Sequence, residues 1–412
     1  MTPPGRSVRV CRRERRAELA FRSAYLEASQ FSSPVEGRRG GGGVYDQQSV
    51  PGLTDVDPDA PLVAALYLAS SGRIVALGGN GGEGEGGGDN DDDCGSVGRE
   101  TTPCRRFLAQ SCFKPLSYAM AVEAGMSDVV DQSVGCRGDV PFGTFEKCPD
   151  GRALNPLINA GALVILEFLS RSYSVEEVGR WCRGLGGSAD DDGSEAMPKS
   201  GGRTTSPKIP LFDPIAVAAT EADSDRNRSL SRALAESGAL GRDAPYGAEE
   251  AIDRSVRYYA AMDCLYVSCE EMARAAGAFA LTRVSQRRPR RAEGCGRRAL
   301  GLPSGPAQRS TLSSMLHCGM YERSGEWARD VGVPAKSGVS GAVWAVLPGI
   351  GGLCAHQPRI DAVGNSVQAM ALLRGMAERF PAMSIFDVAD DGDGDGNANT
   401  FSEALIGDGC TE

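Results

Sequence analysis

The chain has 412 residues, 41% of them hydrophobic, enough apolar material for a large core, and its net charge of −10 opposes general binding to nucleic acid or another polyanion. Thirteen cysteines are scattered without a Cys-x-x-Cys pair, and the only histidines are His317 and His356, which argues against a zinc site of ordinary spacing and against a Ser-His-Asp hydrolase. No apolar run approaches the roughly 18 residues that a membrane-spanning helix needs.

Residues 1–43 read as a disordered N-terminal extension with seven arginines by position 22; it has the basic character of a transit segment, although Glu14, Glu18 and Glu27 are untypical of one. The compartment therefore stays open between cytoplasmic and mitochondrial or other organellar. Cysteines in segments expected to be buried, such as Cys112, Cys264, Cys318 and Cys354, favour reducing conditions. Leu62–Leu68 and Gly72–Leu77 predict a hairpin of sheet strands, and Ser111–Gly125 and Asn159–Ser172 predict core helices. Glu249–Ala278 reads as helical, Val333–Leu347 and Gly351–Gln357 as strands, and Asn365–Arg379 as an amphipathic helix. This order predicts an α+β domain over 44–388, a mixed, mainly antiparallel sheet flanked by helices, with a helical lobe from about 115 to 320.

Three polar inserts interrupt that domain: glycine-rich and acidic near 78–101, polar over 187–208, and arginine-rich over 283–298. The basic insert lacks interleaved aromatics and reads as a solvated loop. An acidic tail over 389–412 starts like a calcium loop at Asp391-Gly392-Asp393. Position 12 of that loop is Ser402 rather than a glutamate, so the tail reads as disordered instead.

The chemistry lies in Gln110-Ser111-Cys112-Phe113-Lys114. Side chains three apart on a helix share a face, so Ser111 and Lys114 can touch. A serine hydroxyl needs a base within hydrogen-bond reach, and a lysine serves as one when burial or a nearby cation lowers its pKa. Lys336 is a candidate for that cation. Pro115 is tolerated in a first turn, which puts Ser111 at a helix start. Ser-x-x-Lys alone is a common tetrapeptide.

Five further blocks follow in order: Asn155-Pro156-Leu157-Ile158-Asn159-Ala160-Gly161-Ala162, Asp225-Arg226-Asn227, Cys318-Gly319-Met320-Tyr321, Pro334-Ala335-Lys336-Ser337-Gly338-Val339, and Gly364-Asn365-Ser366-Val367. Together with the Ser-x-x-Lys element they resemble the serine-dependent glutaminases, over roughly residues 50–387, and the resemblance implies a β-lactamase/transpeptidase-like fold. It implies hydrolysis of the side-chain amide of L-glutamine to L-glutamate and ammonia, with Ser111 as nucleophile, Lys114 as base and Tyr321 as proton shuttle. It further implies that the backbone N–H groups of Ser111 and Val339 form an oxyanion hole. Asn159, Glu221, Asn227 and Tyr259 are implied as substrate contacts, Glu221 for the α-ammonium group. No cofactor and no metal are implied, no nucleic-acid or membrane partner, and a homo-oligomer, dimer or tetramer, is expected.

Three positions depart from that pattern. Glu221 lies six residues before Asn227 where the family has seven, so either one residue is deleted and Glu221 keeps the family's glutamate role, or Thr220 stands at that position. Ser49-Val50-Pro51 stands where the family has a tyrosine, with Tyr45 four residues upstream. Asp263-Cys264 replaces a Cys-Ser pair. Two alternatives therefore accompany the glutaminase reading: another Ser-x-x-Lys acyl hydrolase of the β-lactamase or penicillin-binding type, and a catalytically impaired glutamine-binding or assembly homologue. Asn155 and Asn159 also admit a purely structural role, because asparagines satisfy backbone groups in turns.

Overall fold

The structure is a computed structural model, and it describes residues 5–30, 57, 60–78, 106–185, 210–280 and 303–386. The 283–298 insert, the 389–412 tail, Tyr45 and Ser49 lie outside the described residues, as do nearly all of the 78–101 insert and the whole of 187–208. Residues 1–43 were expected to be disordered, and for Gly5–Ser29 that expectation is corrected: they form helix α1. Ala17, Ala20, Phe21, Ala24 and Ala28 recur on one stripe and are buried. The stripe is narrow and built mostly of alanine, so the flanking arginines mask it in the sequence. Glu14, unusual for a transit segment, accepts the Ser70 and Ser71 backbone N–H groups at 3.1 and 3.2 Å and thereby caps the turn between the first two strands.

Those strands, β1 (Val63–Leu68) and β2 (Arg73–Leu77), pair antiparallel as the expected hairpin. A short strand β3 (Arg106–Leu108) leads into the helical part: α2 (Lys114–Glu123), α3 (Ser127–Asp131), α4 (Asn159–Ser170), α5 (Val175–Gly184), α6 (Pro214–Ala222), α7 (Asp225–Glu236) and α8 (Ala248–Asp263). Helix α4 is buried on nearly every side, with Leu163, Val164, Ile165, Leu166, Phe168 and Leu169 in the core and the buried Glu167 paired with Arg171, as a central helix must be.

The continuous helix expected over Glu249–Ala278 is broken. Strand β4 (Tyr266–Ser268) separates α8 from α9 (Cys269–Ala280) and pairs antiparallel with β3. Ser268 and Glu271 explain the restart: the Glu271 N–H donates to Ser268 Oγ at 3.2 Å, and the Ser268 N–H donates to Glu271 Oε2 at 3.0 Å, a capping box at a new helix N-terminus.

Helices α10 (Gly305–Cys318) and α11 (Ser324–Asp330) return the chain to the sheet through β5 (Ala335–Gly338), β6 (Ala342–Leu347) and β7 (Gly351–His356), and α12 (Val367–Arg379) follows. The five-stranded order is β2-β1-β7-β6-β5, antiparallel throughout. The period of two divides the strands between two cores. Val343, Ala345, Leu347, Leu353 and Ala355 face α1 and α12, while Ala342, Trp344, Val346 and Cys354 face α9 and the helical part. With both faces covered, β5 to β7 are buried from end to end. This is the expected α+β architecture. Among the described residues, no helix is long and apolar enough to cross a membrane.

Candidate active site

Ser111 lies on a 3-10 turn, Gln110–Phe113, that runs directly into α2, whose first residue is Lys114 and second Pro115. The turn is entered through Gln110 at φ +44°, left-handed backbone that costs a non-glycine residue about 1 to 3 kcal/mol and is characteristic of functional sites. Lys114 Nζ donates to Ser111 Oγ at 2.8 Å and to Asn159 Oδ1 at 2.7 Å. Tyr259 OH donates to the same amide oxygen at 2.9 Å, and Asn159 Nδ2 faces Asn227 Oδ1 at 3.4 Å. Helices α2, α4, α7 and α8 thus each contribute to one polar chain within an apolar core.

The two asparagines of the Asn155–Ala162 block divide the roles that the sequence left open. Asn155 is structural: it donates to the Arg137 carbonyl at 2.7 Å and accepts the Leu157 N–H at 2.9 Å. Asn159, the first residue of α4, is the one that reaches Lys114 and lines the pocket with Ser111. Gly161 permits this geometry, because a Cβ there would stand 2.0 Å from the Asn155 carbonyl oxygen.

The facing wall is β5. Its last residue, Gly338, lies against the serine turn so closely that a Cβ would meet Cys112 Sγ at 2.9 Å and the Ala109 carbonyl at 3.0 Å. That approach sets Val339 at the rim of the same pocket as Ser111. Behind it, Tyr321, at φ +56°, donates its hydroxyl to the Ser337 carbonyl at 2.8 Å. Lys336 Nζ donates to the same carbonyl at 2.5 Å and sits 4.1 Å over the Tyr321 ring.

The pocket has a volume of about 810 Å³. Of the residues expected at the site, Ser111, Asn159, Asn227, Tyr259 and Val339 line it, while Lys114 and Tyr321 are buried behind its wall. Glu221 is not brought there. It is exposed, whereas its neighbour Thr220 and Asp223, three residues on, face the pocket. One residue of phase on α6 decides this, since successive helical side chains point about 100° apart. Gln110, Asp223, Arg226, Asp263 and Glu322 also line the pocket and were not picked out from the sequence as site residues. The one available signal was the departure at Asp263-Cys264.

Burial dominates the electrostatics. It lowers the pKa of Lys114, against a smaller opposing effect of Asp263. It also pushes Lys336 well below the ordinary lysine range, with Lys114 adding to the effect, and raises Asp263 above the usual carboxylate range. Of the two causes the sequence left open for Lys114, burial or a nearby cation such as Lys336, burial is the main one.

A helix-covered antiparallel sheet with a lysine-bonded serine at a pocket beside the edge strand defines the β-lactamase-like class. Within it, the chain belongs to the glutaminase family, whose model, described as Glutaminase, matches residues 89–386. A glutaminase of Geobacillus thermodenitrificans is 32% identical over 286 residues, which cover 67% of this chain and 80% of the relative. Putative glutaminase 2 of Caenorhabditis elegans is 29% identical over 278 residues, covering 66% of this chain; the match spans only 40% of the nematode protein's length. A solved structure of Mglu in its glutamate form superposes with a TM-score of 0.62 at 25% identity, covering 89% of this chain and 68% of that one.

Proposed function

We propose that the protein hydrolyses the side-chain amide of L-glutamine to L-glutamate and ammonia through an ester on Ser111. The observation that carries this reading is the 2.8 Å contact between Lys114 Nζ and Ser111 Oγ at the wall of the polar pocket. Family membership supplies the substrate class, and a relative crystallised with glutamate supports it.

In the first half-reaction, neutral Lys114 takes the hydroxyl proton as Ser111 Oγ bonds to the amide carbon. The carbonyl electron pair moves onto oxygen, which the backbone N–H groups of Ser111 and Val339 receive. As the intermediate collapses the C–N bond breaks, and the nitrogen takes the proton from Lys114 by way of Tyr321 and departs as ammonia. Tyr321 rests on the Ser337 carbonyl until that transfer. Water then attacks the ester carbon and gives a proton to Lys114; as the Ser111 Oγ–C bond breaks, Lys114 returns that proton to Oγ, and glutamate leaves. Asn159 and Tyr259 hold Lys114 in line and, with Asn227, border the substrate.

Ammonia release from L-glutamine and L-asparagine, measured beside turnover of a penicillin, tests the reading. Glutamine turnover well above the other two is expected. Covalent labelling by the penicillin without glutamine turnover would select the β-lactamase-type alternative, and glutamine binding without turnover the impaired homologue.

A further inference from the structure

The last residue of α8, Asp263, is 8% exposed and lines the same pocket as Ser111, Asn159 and Tyr259. Its Oδ1 is buried and meets no hydrogen-bond donor among the described residues. A buried carboxylate oxygen without a donor is costly, so in a pocket wall it calls for a partner such as water, an ion or a ligand group. Lys114 and Lys336 act on this carboxyl from nearby, and the helix end adds a further preference for positive charge. Asp263 closes the C-terminal end of a 16-residue helix, where the macrodipole is negative.

The other acids at the pocket are less suited. Asp223 and Glu322 are exposed at its mouth, where solvent screens them, and Glu221 does not line it. Thr220 lines the pocket, and its Oγ1 lies 3.4 Å from Cys264 Sγ, so the residue next to Asp263 touches the residue at the family's glutamate position. We infer that Asp263, reaching in from α8, holds the α-ammonium group of the substrate, and that Thr220 leaves room for it. This inference rests on the proposed glutaminase function.

The electrostatics agree with this arrangement. Burial raises the Asp263 pKa, and an arriving ammonium group would favour its charged form by pairing with it.

The test compares L-glutamine with 4-carbamoylbutanoate, which is glutamine without its amino group, in the full chain. The native protein should prefer glutamine by about 100-fold or more in kcat/KM, because a site built for a hydrogen-bonding group rejects the analogue lacking it. Asp263→Asn, nearly the same shape, should lose most of that preference through a raised KM for glutamine, with kinetics on the analogue within about threefold of native. Asp223→Asn, Glu322→Gln and Glu221→Gln should keep the preference, and Thr220→Glu added to Asp263→Asn should restore part of it. An unchanged preference in Asp263→Asn, an equal fall on both substrates, or transfer of the effect to one of the other three acids would overturn the inference. Calorimetric binding of the same two compounds reads the preference independently of turnover. A chain that binds glutamine through Asp263 but releases no ammonia would therefore contradict the proposed function and leave this inference standing.

Discussion

Asn159 Oδ1 accepts a hydrogen bond from Lys114 Nζ at 2.7 Å, and this contact points the lysine at Ser111. The same oxygen takes the Tyr259 hydroxyl, so the lysine is oriented by a neutral acceptor. A neutral acceptor leaves the depressed pKa of Lys114 in place, where a carboxylate would raise it.

Asn159→Asp should therefore impair catalysis while preserving shape. The added negative charge stabilises protonated Lys114, and at neutral pH kcat should fall about tenfold or more. The rising limb of the pH–rate profile should move to higher pH. A profile unchanged in both height and position would remove Lys114 from the role of base.

For the native protein, a base whose pKa is lowered by burial is available at lower pH than an ordinary lysine. Ammonia release should rise with pH on a limb below about 10.4, the reference lysine value. A limb at or above that value would contradict the burial argument.

Lys336 is fully buried, and its pKa lies well below the ordinary lysine range. The unfolded chain thus binds more protons than the folded one between the folded value and about 10.4, so this group's destabilising effect is full at lower pH and fades as pH rises through that window. Lys336→Met should raise stability at neutral pH by about 1 kcal/mol or more, read by urea denaturation. It should also lower activity, because Tyr321 and the Ser337 carbonyl lose their shared partner.

Gly338→Ala should be harmful at a site with no chemistry of its own. The added methyl meets Cys112 Sγ at 2.9 Å and the Ala109 carbonyl at 3.0 Å, and either the strand or the serine turn must retreat. Overpacking of this kind costs about 1 to 3 kcal/mol, and displacement of Val339 should reduce kcat by about 100-fold. Native kcat in the variant would argue against Val339 as part of the oxyanion hole.

Phe21→Ala separates stability from catalysis. Phe21 is fully buried in the core that α1 shares with α12, and its truncation should cost about 3 to 5 kcal/mol. The midpoint of urea unfolding should fall while kinetics in the folded range stay native. Unchanged stability would mean that α1 contributes little to the fold in solution.

Much of this arrangement was legible in the sequence because it depends on spacing within single elements. Ser111 and Lys114 are three apart, and β1 and β7 carry apolar residues that their burial requires. The rest depends on helix phase and on packing between distant segments. Glu221 and Thr220 differ by one position, yet only Thr220 faces the pocket, because α6 is turned by its contacts. Asp263 was visible only as a departure from a family pattern; its place in the pocket follows from the break between α8 and α9, which the continuous helical reading of 249–278 concealed. Helix α1 was hidden for a different reason: alanines bury against α12 under a surface of arginines.

The central claim, that Ser111 carries the glutamyl group, is tested most directly by acid-quenching the protein during turnover of L-glutamine and locating the adduct by peptide mass spectrometry. A glutamyl ester on Ser111 is expected, absent in a folded Ser111→Ala variant that also releases no ammonia. Ammonia release undiminished in Ser111→Ala, or an adduct on another residue, would contradict it.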